Sequence, residues 1–124
     1  MELLIIDDHP VFRAGLRQIL LDQCEDLVIT EAGSGREALQ RLEAQEPDAV
    51  VLDISLPDMS GIEVLRRIRR SRPQLAIVVL TLFDEAQYSE STAKMGASGF
   101  LSKALEPEEL ARAILRIAFG ESAL

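Results

Sequence analysis

Cysteine is nearly absent. Cys24 is the only one in 124 residues, so no disulfide framework and no metal-binding cysteine pair can form, and a reducing compartment such as the cytosol is the expected setting. Cys24 itself reads as a small, half-buried residue late in a helix. Positive charge is also scarce: 13 Lys and Arg stand against 21 Asp and Glu, a formal net charge of −8. That balance excludes an unaided grip on phosphate backbones or anionic membranes, so any DNA contact needs another domain. The opening apolar run, Leu3-Leu4-Ile5-Ile6, is too short for a signal peptide and closes on two acids. There is no internal repeat, no low-complexity segment and no nucleotide-cradling loop, Gly33-Ser34-Gly35 being a lone turn. The expectation is one soluble, cytoplasmic domain over residues 1–124, with 48% hydrophobic residues and a core large enough to need no staple.

What is present is a series of apolar runs alternating with helical patterns. Leu3 to Ile6 predicts a first strand, and Pro10 takes a first-turn helix position where its missing amide hydrogen costs nothing. Phe12, Leu16, Ile19 and Leu20 recur at helical spacing to a stop near Cys24, with Arg13 and Arg17 on other, wetter faces. Leu27 to Thr30 predicts a short second strand, and Ser34-Gly-Arg-Glu37 a capping box ahead of Ala38, Leu39 and Leu42. Beyond Pro47, Ala49-Val-Val-Leu-Asp53 is a run without polar alternation, as expected of a strand buried on both faces.

Ser60-Gly-Ile-Glu63 repeats the capping pattern before a stripe of Ile62, Leu65 and Ile68. Arg66, Arg67, Arg69, Arg70 and Arg72 read as its solvated side, Glu63 standing four residues before Arg67. Ala76 to Leu80 predicts a fourth strand closed by Thr81. Asp84 to Gln87 opens a fourth helix whose body has few large apolar side chains, and hence a weak anchor. Phe100 to Ser102 predicts a fifth strand closed by Lys103, and Glu106-Pro-Glu-Glu109 opens a last helix with Leu110, Ala113, Ile114 and Ile117 inward. Strands alternating with helices imply a parallel sheet covered on both faces.

Four of the five strands end in polar groups: Asp7 and Asp8, Asp53, Thr81, and Lys103. Parallel strands bring these ends to one rim, where α/β proteins place their chemistry. An Asp after a strand is often only a turn former or helix cap, but the coincidence of four such ends is not ordinary. Three crowded carboxylates repel one another unless a hard divalent cation neutralises them, which points to Mg²⁺. A carboxylate beside a cation, a hydroxyl and an ammonium has what phosphoryl transfer to an Asp oxygen requires, with Asp53 as acceptor. His9, next to Pro10, reads as a loop residue lining that rim, and Phe12, Met59 and Met95 read as packing groups.

These residues resemble the receiver domain of two-component response regulators, over Glu2 to about Ala118. The resemblance rests on Asp7-Asp8, on Leu52-Asp53-Ile54-Ser55-Leu56-Pro57-Asp58-Met59-Ser60-Gly61, on Thr81, and on Gly96-Ala97-Ser98-Gly99-Phe100-Leu101-Ser102-Lys103. Asp7-Asp8-His9-Pro10 and Leu80-Thr81-Leu82-Phe83-Asp84 look most like the NarL/FixJ subfamily, whose receivers precede a LuxR-type helix-turn-helix domain. The resemblance implies a flavodoxin-like (βα)5 doubly wound sheet of order 2-1-3-4-5, the order of flavodoxin and of chemotaxis receivers. It further implies a signalling switch that catalyses only its own phosphorylation and dephosphorylation, with a sensor histidine kinase as donor to Asp53. Mg²⁺ would be held by Asp8, Asp53 and the Ser55 main-chain carbonyl, with Asp7 acting largely through water. Lys103 would pair with the phosphoryl group, and Thr81 and Phe100 would move together and remodel the face of helix 4, strand 5 and helix 5. Homodimerisation on phosphorylation, and control of transcription through a DNA-binding domain outside this chain, complete the implied picture.

Three positions depart from the wider family pattern. Leu82 stands where Ala or Gly is frequent, and is expected to crowd the entrance to Asp53. Ala104 follows Lys103 where many relatives carry proline with a cis bond, and Phe100 lacks the hydroxyl of the commoner tyrosine. Two rival readings are an aspartyl-phosphate phosphatase and a pseudo-receiver that binds partners without phosphorylation. Ser55 occupies the place where haloacid-dehalogenase-like phosphatases carry a second Asp. The full set of acids, Thr81 and Lys103 gives the pseudo-receiver no support.

Overall fold

A computed structural model describes residues 1–82 and 92–120. Five strands, β1 (Glu2–Ile6), β2 (Val28–Ala32), β3 (Ala49–Asp53), β4 (Ala76–Thr81) and β5 (Gly99–Ser102), form one parallel sheet of order β2-β1-β3-β4-β5. This is the doubly wound order implied by the resemblance. Helices α1 (Pro10–Gln23), α2 (Gly35–Ala44), α3 (Gly61–Ser71) and a C-terminal helix (Pro107–Phe119) cover it, and residues 92–94 are helical. The predicted opening of the fourth helix at Asp84 to Gln87, and its weak anchor, lie outside the described residues. Among the described residues no helix is long and apolar enough to cross a membrane.

Successive strand residues point to opposite faces, so a strand covered on both sides must be apolar throughout. Leu3, Ile5, Val51, Val78 and Leu80 pack with α1 and the C-terminal helix, whereas Leu4, Ile6, Val50, Leu52, Ile77 and Val79 pack with α2 and α3. Burying such a Leu or Ile contributes about 1.5–3 kcal/mol each. The two cores therefore fix the register, because a one-residue slip would exchange them.

The second strand lies further along than Leu27 to Thr30. Glu2 pairs with Val28 and Ile6 with Ala32, so the strand runs through Glu31, whose charge masks it in the sequence. The Glu31 carboxylate is satisfied by Arg13 Nε at 2.8 Å and Arg17 Nη1 at 3.2 Å. These two arginines therefore reach across to β2 and do not simply face water.

Ser34 caps α2 as predicted, accepting the Glu37 N–H at 3.1 Å, while the Glu37 carboxylate accepts from Gly33 N–H at 2.6 Å. Ser60 caps α3 through the Ile62 N–H at 3.2 Å. Glu63 pairs with Arg66 and Arg67, leaving the predicted box there half formed. Val64, Leu65 and Ile68 are the buried stripe of α3, with Ile62 only half-buried. In the C-terminal helix the buried set is Leu110, Ala111, Ile114 and Leu115, a rotation from the predicted Ala113 and Ile117, which are partly buried. Cys24 is buried at the C-cap of α1.

The arginine run divides. Arg66, Arg67 and Arg70 are exposed, but Arg69 donates to Gly96 O through Nε at 3.0 Å and Nη2 at 2.6 Å, and through Nη1 to the carbonyls of Arg72 and Pro73. Arg72 Nη2 donates to the carbonyls of Leu42 and Gln45 at the end of α2. Gly96 adopts φ +98°, a left-handed conformation that glycine takes without a Cβ penalty, and so turns the chain toward β5.

Candidate functional site

Because all five strands are parallel, their carboxyl ends share one rim, and β1, β3, β4 and β5 each deliver a polar group there. Asp7 follows β1 and is buried; its N–H donates to Ala32 O at 3.0 Å, which continues the ladder past the strand. Asp53 is the last residue of β3 and 2% exposed. Thr81 ends β4 and is fully buried, and its carbonyl accepts the Lys103 N–H at 2.7 Å. That bond carries the β4–β5 pairing one residue past Ser102 and aims Lys103 back across the rim.

Lys103 Nζ lies 3.1 Å from Asp53 Oδ2 and 2.9 Å from Asp7 Oδ2, with its side chain only 4% exposed. Its ammonium also stands 4.2 Å from the centre of the Phe12 ring, a cation–π contact. The Ser55 N–H donates to Asp53 Oδ1 at 2.9 Å. Burial pushes the Asp53 carboxyl above its ordinary value; the Ser55 amide and the Lys103 ammonium pull it back in part, and the Asp7 charge adds to the rise. The Asp53 carboxylate is therefore held in place yet remains poorly solvated.

Asp7, Asp8, His9 and Asp53 present ligand atoms that all lie within 4.8 Å of one another. Asp7 Oδ2 and Asp8 Oδ1 are buried atoms that accept no hydrogen bond, Lys103 approaching the former as an ion contact only. Oxygen ligands with unused lone pairs at one point are a donor set suited to a hard divalent cation. His9 lies in the loop as expected, its N–H donating to Asp7 Oδ1 at 2.8 Å. Its Nδ1 faces inward, 3.1 Å from Asp7 Oδ1, 3.2 Å from Asp8 Oδ1 and 3.8 Å from Asp53 Oδ2.

Phe100 on β5 is half-buried against the α3-side core, while Leu101 packs on the opposite face. Ser55 is exposed just beyond Asp53. Leu82 is 61% exposed, directly after Thr81. No cis peptide bond occurs among the described residues, Lys103–Ala104 included.

Three supporting residues were not assigned a part in the site by the sequence reading. Arg13 donates from Nη1 to the Asp7 carbonyl while its Nε binds Glu31, so α1 braces the acidic pair from β2. Phe12 proves to be the seat of the Lys103 ammonium, although nothing in a helical apolar stripe marks it for that. Asp58 accepts the N–H groups of Gly35 at 2.8 Å and Arg36 at 2.9 Å, at the start of α2. Those amides hold its carboxyl below the ordinary range and tie the loop after Asp53 to a helix dipole. An acid beside Pro57 and Met59 reads locally as a turn former, and only the fold brings α2 to it.

Residues 3–115 match the response regulator receiver domain family. The chain is 38% identical over 122 residues to the transcriptional activator protein ExaE of Pseudomonas putida, covering 98% of this chain and 57% of that protein. It is 34% identical over 122 residues to the nitrate/nitrite response regulator protein NarL of Escherichia coli K12, covering 98% and 56%. The chain thus spans just over half the length of these curated relatives. Among solved structures, a LuxR-family two-component response regulator from Aurantimonas sp. SI85-9A1 superposes with a TM-score of 0.86 at 32% identity, covering 96% of this chain and 85% of that one. A CheY-like receiver domain from Methanospirillum hungatei JF-1 gives 0.85 at 26% identity, covering 98% and 96%. A parallel sheet with acids, a buried threonine and a lysine on one rim is what such a domain needs, and this chain belongs to the response regulator receiver family, in its NarL/LuxR-type branch.

Proposed function

We propose that the domain is a phosphorylation switch in which Asp53 accepts a phosphoryl group from a sensor histidine kinase. One observation carries this reading: Lys103 Nζ stands 3.1 Å from Asp53 Oδ2 on a buried rim that also holds Thr81. An Asp53 oxygen attacks phosphorus as the P–N bond to the donor imidazole breaks, and the imidazole nitrogen leaves with a proton. The Lys103 ammonium neutralises one equatorial oxygen of the transferring group, and the Ser55 amide keeps the attacking carboxylate oriented.

Asp7, Asp8, Asp53 and the Ser55 main-chain carbonyl would hold Mg²⁺, which when bound supplies the remaining positive charge for the phosphoryl oxygens. Thr81 then hydrogen-bonds a phosphoryl oxygen, and Phe100 changes rotamer with it. Since Phe100 is half-buried against the α3-side core, that movement alters the β5 face that a partner reads. The output is transcription, through a DNA-binding domain outside this chain, with phosphorylation promoting a homodimer.

Intact mass after incubation with Mg²⁺ and phosphoramidate, beside Asp53→Ala, tests this. Gain of one phosphoryl group in the wild type alone, and only with Mg²⁺, supports the switch. A wild type that stays unmodified both with phosphoramidate and with a phosphorylated kinase would favour a pseudo-receiver.

A further inference from the structure

Among the described residues at the rim, His9 has no part in the proposed phosphoryl transfer, and its geometry is specific. Its side chain is 52% exposed, yet Nδ1 turns toward the acids and not toward water. In an octahedral shell with bonds of about 2.1 Å, adjacent ligand atoms stand about 3.0 Å apart and opposite ones about 4.2 Å. Nδ1 lies 3.1 Å from Asp7 Oδ1 and 3.2 Å from Asp8 Oδ1, both near the adjacent spacing. Its 3.8 Å to Asp53 Oδ2 falls between the two. Relative to Asp7 and Asp8, the nitrogen therefore occupies a corner that a single ion bound to those two carboxylates could share. Asp8 Oδ1 is buried without a hydrogen bond, whereas Asp7 Oδ2 faces the Lys103 ammonium and Asp7 Oδ1 pairs with His9 Nδ1, so the acceptor capacity left for a cation lies first at Asp8. Lys103 Nζ is the competing group, 3.4 Å from Nδ1 and bonded to Asp53 Oδ2.

We propose that His9 Nδ1 is a metal ligand, which makes this rim selective for borderline first-row cations such as Mn²⁺, Co²⁺ and Ni²⁺ over Mg²⁺. An all-oxygen site suits Mg²⁺, whereas an imidazole adds affinity for transition metals and little for Mg²⁺. This rests on the reading of the rim as a cation site. Any site of nitrogen and oxygen donors favours Co²⁺ somewhat, so the decisive quantity is the change in the Co²⁺-to-Mg²⁺ affinity ratio when His9 is replaced.

Isothermal titration of the intact domain with MgCl₂ and with CoCl₂ at one fixed pH gives that ratio for the wild type, His9→Ala and His9→Gln, each first checked for fold by circular dichroism. Pulsed EPR of the Mn²⁺-loaded proteins supplies a readout independent of affinity. The expected result is a loss of about tenfold or more in Co²⁺ affinity in both variants, with Mg²⁺ affinity changed by less than about twofold. Nitrogen modulation from a bound imidazole should accompany it in the wild type only. Mg²⁺ binding with an unchanged ratio and no nitrogen signal overturns the role of His9 and leaves the cation site standing. Failure of the wild type to bind either ion overturns the cation site itself.

Discussion

In the metal-free protein, Asp53→Asn should raise stability at neutral pH. The Asp53 carboxyl is 2% exposed, and burial outweighs the Ser55 amide and Lys103, so its folded-state pKa lies above the ordinary 3.8. A raised pKa means that the ionised form costs stability: the favourable contribution is full below 3.8 and is lost as pH rises through the folded value. Asn keeps an oxygen for the Ser55 N–H and removes the charge. Lys103 keeps Asp7 at 2.9 Å, so the ammonium is not stranded. The incompletely compensated charge is worth about 1–2 kcal/mol, or roughly 4–8 °C in Tm for a domain of this size.

Urea unfolding followed by circular dichroism, in EDTA and from pH 8 down toward the ordinary carboxylate range, measures it. The advantage of Asn should be greatest at pH 8 and shrink with acidification, because only the wild type then gains a proton at this site. No advantage at pH 8, or one that grows as pH falls, would refute the reasoning. Mg²⁺ supplies the second arm. At ten times its Kd it should add about 1.4 kcal/mol to the wild type and much less to the Asn variant, which reduces or reverses the gap.

A Cβ at Gly61 would stand 2.5 Å from the backbone of Ile54, so Gly61→Ala should cost about 2–3 kcal/mol in urea unfolding; a loss under about 0.5 kcal/mol would mean the loop moves freely. Arg69→Lys keeps the charge but loses the planar fork over Gly96 O and the carbonyls of Arg72 and Pro73. It should lower stability by about 1–2 kcal/mol, and an unchanged urea midpoint would show those carbonyls to be satisfied by water. Asp58→Ala should destabilise at pH 7, and the deficit should fade as pH falls through the lowered Asp58 value, since a depressed carboxyl stabilises only while ionised. A deficit independent of pH would show that the amide bonds at Gly35 and Arg36 do not depend on its charge. Leu82→Ala should speed phosphorylation by phosphoramidate if the exposed leucine obstructs small donors; an equal rate, followed by intact mass, removes that role.

The strands were legible because burial on both faces leaves no room for polar alternation, and β1, β3 and β4 are nearly unbroken aliphatic runs. Their polar ends followed from the chain alone, since parallel topology fixes which end each residue occupies. β2 was misplaced because it is an edge strand, where Val28 is exposed and Glu31 finds its partners on α1. Partnership between elements far apart in sequence has no local signature. Arg69 reaches 27 residues along the chain and Asp58 reaches 23 residues back, yet the first reads locally as solvated surface and the second as a turn former. The stripe of the C-terminal helix was misjudged for a related reason, because Ala111 is small enough to lie against the sheet while its neighbour Ala113 gives the same sequence signal.

Under the proposed function, the rim's charge bears on both stability and switching. Its three carboxylates and one ammonium leave a formal charge of −2, the charge that one divalent cation cancels. Converting the Asp53 carboxylate to a phosphoryl dianion adds a further negative charge at that point, which the single ammonium of Lys103 cannot absorb. On the proposed function, transfer without a cation is opposed by this added negative charge, placed on a carboxylate that burial already leaves poorly solvated. Lys103 is held at three points: Asp7 and Asp53 at its ammonium, the Phe12 ring under the same ammonium, and the Thr81 carbonyl at its backbone. In the proposed switch, a shift of the Thr81 backbone toward a phosphoryl group would be felt at the β4–β5 junction through that bond. Phe100 lies on the short strand that runs into Lys103, which gives the proposed charge change at β3 a mechanical route to the β5 face.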